Sequence, residues 1–267
     1  MLNISILSLL AANVKTSPYL AHAPMFQRTK LSMNNCRFSK HSNSLFFSNS
    51  AKISTFFSKT VFENFLDAVI VVERKIEHIG EIFKNETVEI PAEEDVYFAD
   101  CKFNKCFTMN KSAVCICNEG KSSSALKLTI VRTSFVYAVG GLLGGAIYFS
   151  GTEVHMSDSC FEMCITDMKF QAYYLEGSDC VHVTRVLKDQ CAPKIAMGLS
   201  FSEHIRGVNL SIVDCNNTRC RVRERRCCTS FGLNKYMKYR FSVNVNNSGM
   251  SYFGFNLEGN NQYDIIS

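Results

Sequence analysis

Residues able to do acid–base work recur in this chain at a regular interval. Asp100, Arg132, Asp158, Arg185 and Asp214 hold one position of a repeated frame and alternate strictly in sign. Two chemistries use such an arrangement. Carboxylates and guanidinium groups stacked on one face can take and return protons along a polysaccharide. The same groups can instead neutralise each other between neighbouring repeats, because opposite charges steady a strand register and like charges disturb it. The unbroken change of sign favours the second reading, which makes the charges scaffold.

The thiols and imidazoles lead to a similar choice. Of 13 cysteines, Cys106, Cys164, Cys191 and Cys220 share a later position of the frame, where other copies carry Ala138 and Gly249. Neighbouring members can form a disulfide if their side chains face each other, or stack as small buried thiols. The alanine and glycine at the same position favour the stack. Cys115, Cys117, Cys160, Cys227 and Cys228 lack the paired spacing of zinc knuckles, and the six histidines contain no HxxxH. No metal, cofactor or catalytic residue is expected from these spacings. His155 and His182 each stand between two apolar strand positions and are expected to point outward, as surface residues. No GxSxG, P-loop or paired-carboxylate motif accompanies them or His204.

The frame that positions these residues reads apolar, any, apolar, two any, small-or-polar, any, Phe. Its copies start at Leu31, Thr55, Val96, Leu128, Val154, Val181, Leu210 and Tyr239. Phe38, Phe62, Phe103, Phe135 and Phe161 hold its aromatic position, read as an internal stack that gives way to Lys188, Asn217 and Asn246. A second alternating pair precedes most copies, as in Val114/Ile116, Ile147/Phe149, Tyr173/Leu175, Leu199/Phe201 and Phe231/Leu233. Alternation at period two means half-buried strand. Short strands at a fixed repeat, with turn glycines between them and no helical stretch, predict an all-β right-handed parallel β-helix of about seven to nine coils. Leucine-rich repeats are disfavoured, because leucine is not the repeated residue.

Composition agrees with a folded chain: 46% hydrophobic, 20% charged, net charge +5 over 267 residues. That charge is too mild to imply nucleic acid, and the basic run Arg219–Arg226 reads as a solvated loop. Residues 1–25 are expected to be an N-terminal segment, either a weak signal peptide around Ile4–Ala12 or a cap. The β-helix is expected over 26–255 with an irregular insertion around 66–95, and 256–267 as a polar tail. The uncharged stretch 133–152 is long enough to cross a bilayer, but its five glycines, two tyrosines and repeat register argue for strands. Asn-x-Ser/Thr sequons occur at Asn3, Asn85, Asn110, Asn209, Asn216 and Asn246.

Gly144-Gly145-Ala146-Ile147, followed by Phe161-Glu162-Met163-Cys164, resembles the GGAI/FxxN repeat of chlamydial polymorphic outer-membrane proteins. It is also similar to repeats in surface protein families of parasitic protists, where FxxC often replaces FxxN. The full GGAI signature occurs once here, and none of the five frame phenylalanines, Phe38, Phe62, Phe103, Phe135 and Phe161, has Asn three residues on. The resemblance implies a right-handed β-helix displayed at a cell surface or secreted, non-enzymatic, with an adhesive or binding role toward a host or cell-surface protein or glycan. Membrane association is then expected through partners or longer relatives, since no translocator barrel or anchor is recognised in the chain. The competing expectations are a polysaccharide lyase or glycoside hydrolase of the β-helix type, and a truncated relative without independent function.

Overall fold

Inward and outward positions alternate as soon as one coil is followed. In the strand Glu94–Ala99, Val96 and Phe98 are buried, while Tyr97 between them is half-buried and outward. The chain bends at Asp100, runs through Lys102–Cys106 with Phe103 and Cys106 inward, and forms a third strand, Val114–Glu119. The computed structural model describes residues 2–12, 19–20, 29–48, 53–75, 94–108, 112–119, 126–141, 144–166, 170–191, 201–213, 216–218, 229–231, 236–240, 243–245 and 262–266. Among these there is no helix.

Each strand pairs in parallel with its counterpart one coil away, so every coil adds one rung to each face. The result is a parallel β-solenoid, about four turns of which lie between Lys59 and Arg185. Second-face strands stack as a nine-stranded sheet from Leu10–Ala12 to Val243–Val245. First-face and third-face strands stack separately in the early coils. They merge into one 15-stranded sheet through Ile147–Ser157, which serves both faces. Phe170–Thr184 and Phe201–Val213 do the same.

That merging has a local cause. Gly151, Gly177 and Gly207 stand in register at the corner between third and first faces, where the pairing shifts. A Cβ on Gly177 would lie 2.7 Å from the Cys180 carbonyl oxygen, so a side chain would force the backbone apart. Earlier coils make the same passage by longer connections, from Lys75 to Glu94 and from Glu119 to Leu126.

The two bends inside the repeated frame use residues other than glycine among the described residues. Asn35, Lys59, Asp100, Arg132, Asp158 and Arg185 all adopt φ between 46° and 54° at the first bend. Lys40, Asn64, Lys105, Tyr137, Met163 and Gln190 adopt φ between 51° and 58° at the second. A left-handed L-residue costs roughly 1–2 kcal/mol, and the coil contacts offset it. The first-bend amides of Asn35, Lys59, Asp100, Arg132 and Asp158 donate to a carbonyl of the next coil, as in Asp100 N–H to Val131 O (3.0 Å) and Arg132 N–H to Ser157 O (3.1 Å). Gly144 is the described glycine with positive φ, at +68°, and it opens the strand that begins at Ile147.

The register revises two sequence alignments. Leu210 pairs with Met237 and Asn217 with Asn244, so the last copy starts at Met237 and Asn244, not Asn246, holds the Phe position. Leu175 pairs with Ile205, which continues the third-face pair in place of Leu199/Phe201. A slip of two or four residues keeps every side chain on its own face, so period-two alternation cannot detect it.

At the N-terminus, Leu2–Ile6 pairs with Thr29–Asn34 and Leu10–Ala12 with Arg37–His41. Of the 66–95 segment, Ile70–Lys75 is a regular third-face strand and Glu94 begins a first-face strand, while 76–93 lie outside the described residues. Gln262–Ile266 pairs with Tyr236–Arg240. The described residues of the 133–152 stretch form strands and bends, and no helix among the described residues is long and apolar enough to cross a membrane.

Candidate functional site

The charged ladder sits on the first bend, where a left-handed residue throws its side chain outward from the corner. Arg132 clasps Asp100 of the preceding coil with two bonds, Nε to Oδ1 at 2.6 Å and Nη2 to Oδ2 at 2.9 Å. Arg185 clasps Asp158 in the same way, with Nη2 to Oδ2 at 2.8 Å. The hydrogen bond from Arg132 holds the Asp100 carboxyl below its usual range, and that from Arg185 does the same to Asp158. Neither carboxyl carries the raised pKa of a general acid. The ladder therefore resolves into two forked ion pairs, exposed at the corner. Asp214 lies outside the described residues.

Directly inside this bend runs a second ladder that the sequence frame marks only as "small or polar". Thr60, Thr133 and Ser159 are buried, and each hydroxyl donates to the carbonyl two residues back, at 2.8, 3.0 and 2.8 Å. Two of these hydroxyls also accept from the preceding coil: Cys101 N–H to Thr133 Oγ1 at 3.4 Å and Thr133 N–H to Ser159 Oγ at 3.2 Å. Cys36 and Cys101 substitute thiols at the same place, directed at the Asn34 and Ala99 carbonyls. This ladder ties the bends together and is closed to solvent.

Cys106, Cys164 and Cys191 occupy the second bend, in line with His41, Phe65 and Ala138. All three are buried free thiols directed at backbone carbonyls, such as Cys164 Sγ to Phe135 O (3.5 Å) and Cys191 Sγ to Phe161 O (3.5 Å). Burial pushes the Cys106 thiol up to about 12 and the Cys101 thiol up to about 11, so neither is a nucleophile near neutrality. Cys220 lies outside the described residues.

The phenylalanine ladder fills the interior. Phe38, Phe62, Phe103, Phe135 and Phe161 stack face to face at 5.8, 4.6, 4.6 and 4.9 Å between ring centroids. Lys188 follows Phe161 in register and is buried, its Nζ 5.6 Å from the Tyr173 ring centre.

Outward positions of the long sheet carry the remaining chemistry. Phe56 and Tyr97 pair at 5.9 Å with Lys30 Nζ 4.2 Å above Phe56, and Tyr148 stacks on Tyr174 at 5.2 Å. His155 and His182 point outward as expected and stack on each other at 5.1 Å. Beside them, Glu153 and Cys180 bring a carboxylate and a thiol close to the His155 ring. Sequence spacing missed this grouping, because its members come from two coils. Comparison with protein-family profiles, with curated proteins and with solved structures finds no match to this chain.

Proposed function

We propose that this β-solenoid is a non-enzymatic binding protein, secreted or displayed at a cell surface, that engages a host or cell-surface protein or glycan through its outward sheet faces. In this reading the solenoid is right-handed, has seven to nine coils and belongs with the GGAI-type surface repeats it resembles. The observation that carries it is the pairing of the charged ladder. Each described ladder carboxylate, Asp100 and Asp158, is held in a fork by an arginine of the next coil. A lyase or hydrolase would need such carboxylates free to exchange protons. What remains on the outside is a broad sheet with paired aromatic rings, the kind of surface that stacks on sugars or covers protein side chains.

The test has two parts. The purified chain is incubated with a panel of neutral and acidic polysaccharides, and both retention and released products are measured. Retention without cleavage, weakened by Tyr148→Ala and Tyr174→Ala, is the expected result. Product release that disappears in Asp158→Asn would overturn the binding reading in favour of an enzyme. Labelling intact source cells with a membrane-impermeant reagent should tag the protein, and an untagged protein overturns the surface or secreted assignment.

A further inference from the structure

The outward side of the first face holds a group of side chains that the ladders do not explain. Glu153 and His155 project from one strand, two positions apart on the same face. Cys180 and His182 stand at the same two positions one coil later, Glu153 in register with Cys180 and His155 with His182. Parallel strands lie about 4.8 Å apart, so the register brings the two i, i+2 pairs into one four-residue patch. The ligand atoms of Glu153, His155 and Cys180 all lie within 4.8 Å of one another, with Glu153 Oε2 3.7 Å from His155 Nε2.

We propose that Glu153, His155 and Cys180 form a binding site for a divalent cation of the zinc class, with His182 as the fourth donor. The donor set chooses the metal. A thiolate with imidazoles suits zinc, cobalt or nickel, whereas calcium and magnesium take oxygen ligands. Zinc bonds of about 2.0–2.3 Å put tetrahedral ligand atoms roughly 3.3–3.8 Å apart. Glu153 and His155 already meet that separation, and Cys180 closes it by moving about 1 Å. His182 joins by turning out of its stack on His155. All four ligands stand on paired strands of two adjacent coils, which fixes their spacing better than a loop would.

Two local charges shape the site. Lys127 is in register with Glu153 and places Nζ 3.2 Å from Oε2, so an arriving cation displaces that ammonium. Asp179 lies exposed beside Cys180 and adds to the negative field. Binding exchanges the thiol proton for the metal: the S–H bond of Cys180 breaks, the proton leaves to solvent and the sulfur electron pair bonds the cation.

Cobalt(II) is the probe, because a bound thiolate adds near-ultraviolet charge-transfer absorption. The full chain should bind one equivalent with that band, and zinc should abolish it. Cys180→Ser should remove the band, and Glu153→Gln, His155→Gln and His182→Gln should each weaken binding at least about tenfold. Lys127→Met should tighten it. All are outward side chains, and an unchanged circular dichroism spectrum separates lost ligation from lost fold. Cobalt binding that is the same in Cys180→Ser and His155→Gln would place the metal on other thiols and overturn the site. Absence of binding at millimolar cobalt would overturn it as well.

Discussion

Thr55→Val isolates the free energy of one hydroxyl in the solenoid interior. Thr55 is 1% exposed and points inward on the first face, and its Oγ1 has no hydrogen-bond partner. Its register neighbours are Leu31 in the coil before and Val96 in the coil after. Valine has the same shape, so the exchange neither opens a cavity nor overpacks the core. It removes a buried polar group whose lost hydration costs about 1–3 kcal/mol. A gain of about 1–2 kcal/mol is therefore expected, and the reverse change at the next rung, Val96→Thr, should lose a similar amount. Urea unfolding at constant m-value reads both. A solenoid unfolds locally, so hydrogen exchange at the Phe57 and Phe98 amides should report the same change on the neighbouring rungs. If Thr55→Val is neutral or destabilising while Val96→Thr is costly, the Thr55 hydroxyl is satisfied and the reasoning fails. If both are neutral, the interior is not dry at this rung.

Phe103 is the rung with the tightest stacking on both sides, 4.6 Å to Phe62 and to Phe135, and it is fully buried. Phe103→Ala should cost about 3–5 kcal/mol by denaturant midpoint, and a loss below about 1 kcal/mol would mean that the coils close over the gap. His41 is buried against Phe65 at 4.7 Å, and burial pushes its pKa below the ordinary 6.5, against a weaker opposing bond to the Ala11 backbone. The unfolded state then binds the proton more readily than the folded one. Stability should be full above pH 6.5 and fall as the pH drops through the window below it. His41→Phe should remove that part of the slope, and a pH profile unchanged by the substitution would show His41 titrating as freely folded as unfolded.

The repeat was legible because the physics of a parallel solenoid writes itself into sequence. Stacked rungs demand like residues at like positions, so Phe38, Phe62, Phe103, Phe135 and Phe161 can be aligned without a structure. The inward pairs around them are legible for the same reason, since burial on one face imposes alternation. What alternation cannot carry is absolute register. Met237 and Tyr239 satisfy it equally well, and only pairing with Leu210 and Ile212 decides between them. Nor did the pattern anticipate that Lys, Arg and Asp would bend the chain at positive φ, because those bends are held by inter-coil backbone bonds that no side chain advertises.

The chemistry was less legible than the fold, and the same geometry explains why. Motif searches assume that ligands or catalytic groups come from one turn of chain, as in CxxC or HxxxH. In a solenoid the nearest neighbour of an outward side chain is its counterpart one coil away, at about 4.8 Å, closer than the residue two positions along its own strand at about 6.6 Å. Functional grouping therefore has to be read across the register. Read along the chain, the alternating ladder charges look like five separate candidates, and His155 looks like a lone surface imidazole. Read across it, Asp100 and Asp158 are spent in forks with Arg132 and Arg185, whereas Glu153, His155 and Cys180 converge, with His182 in register beside His155. Any sequence reading of such a fold that assigns register first and motifs second would rank these two places in the opposite order.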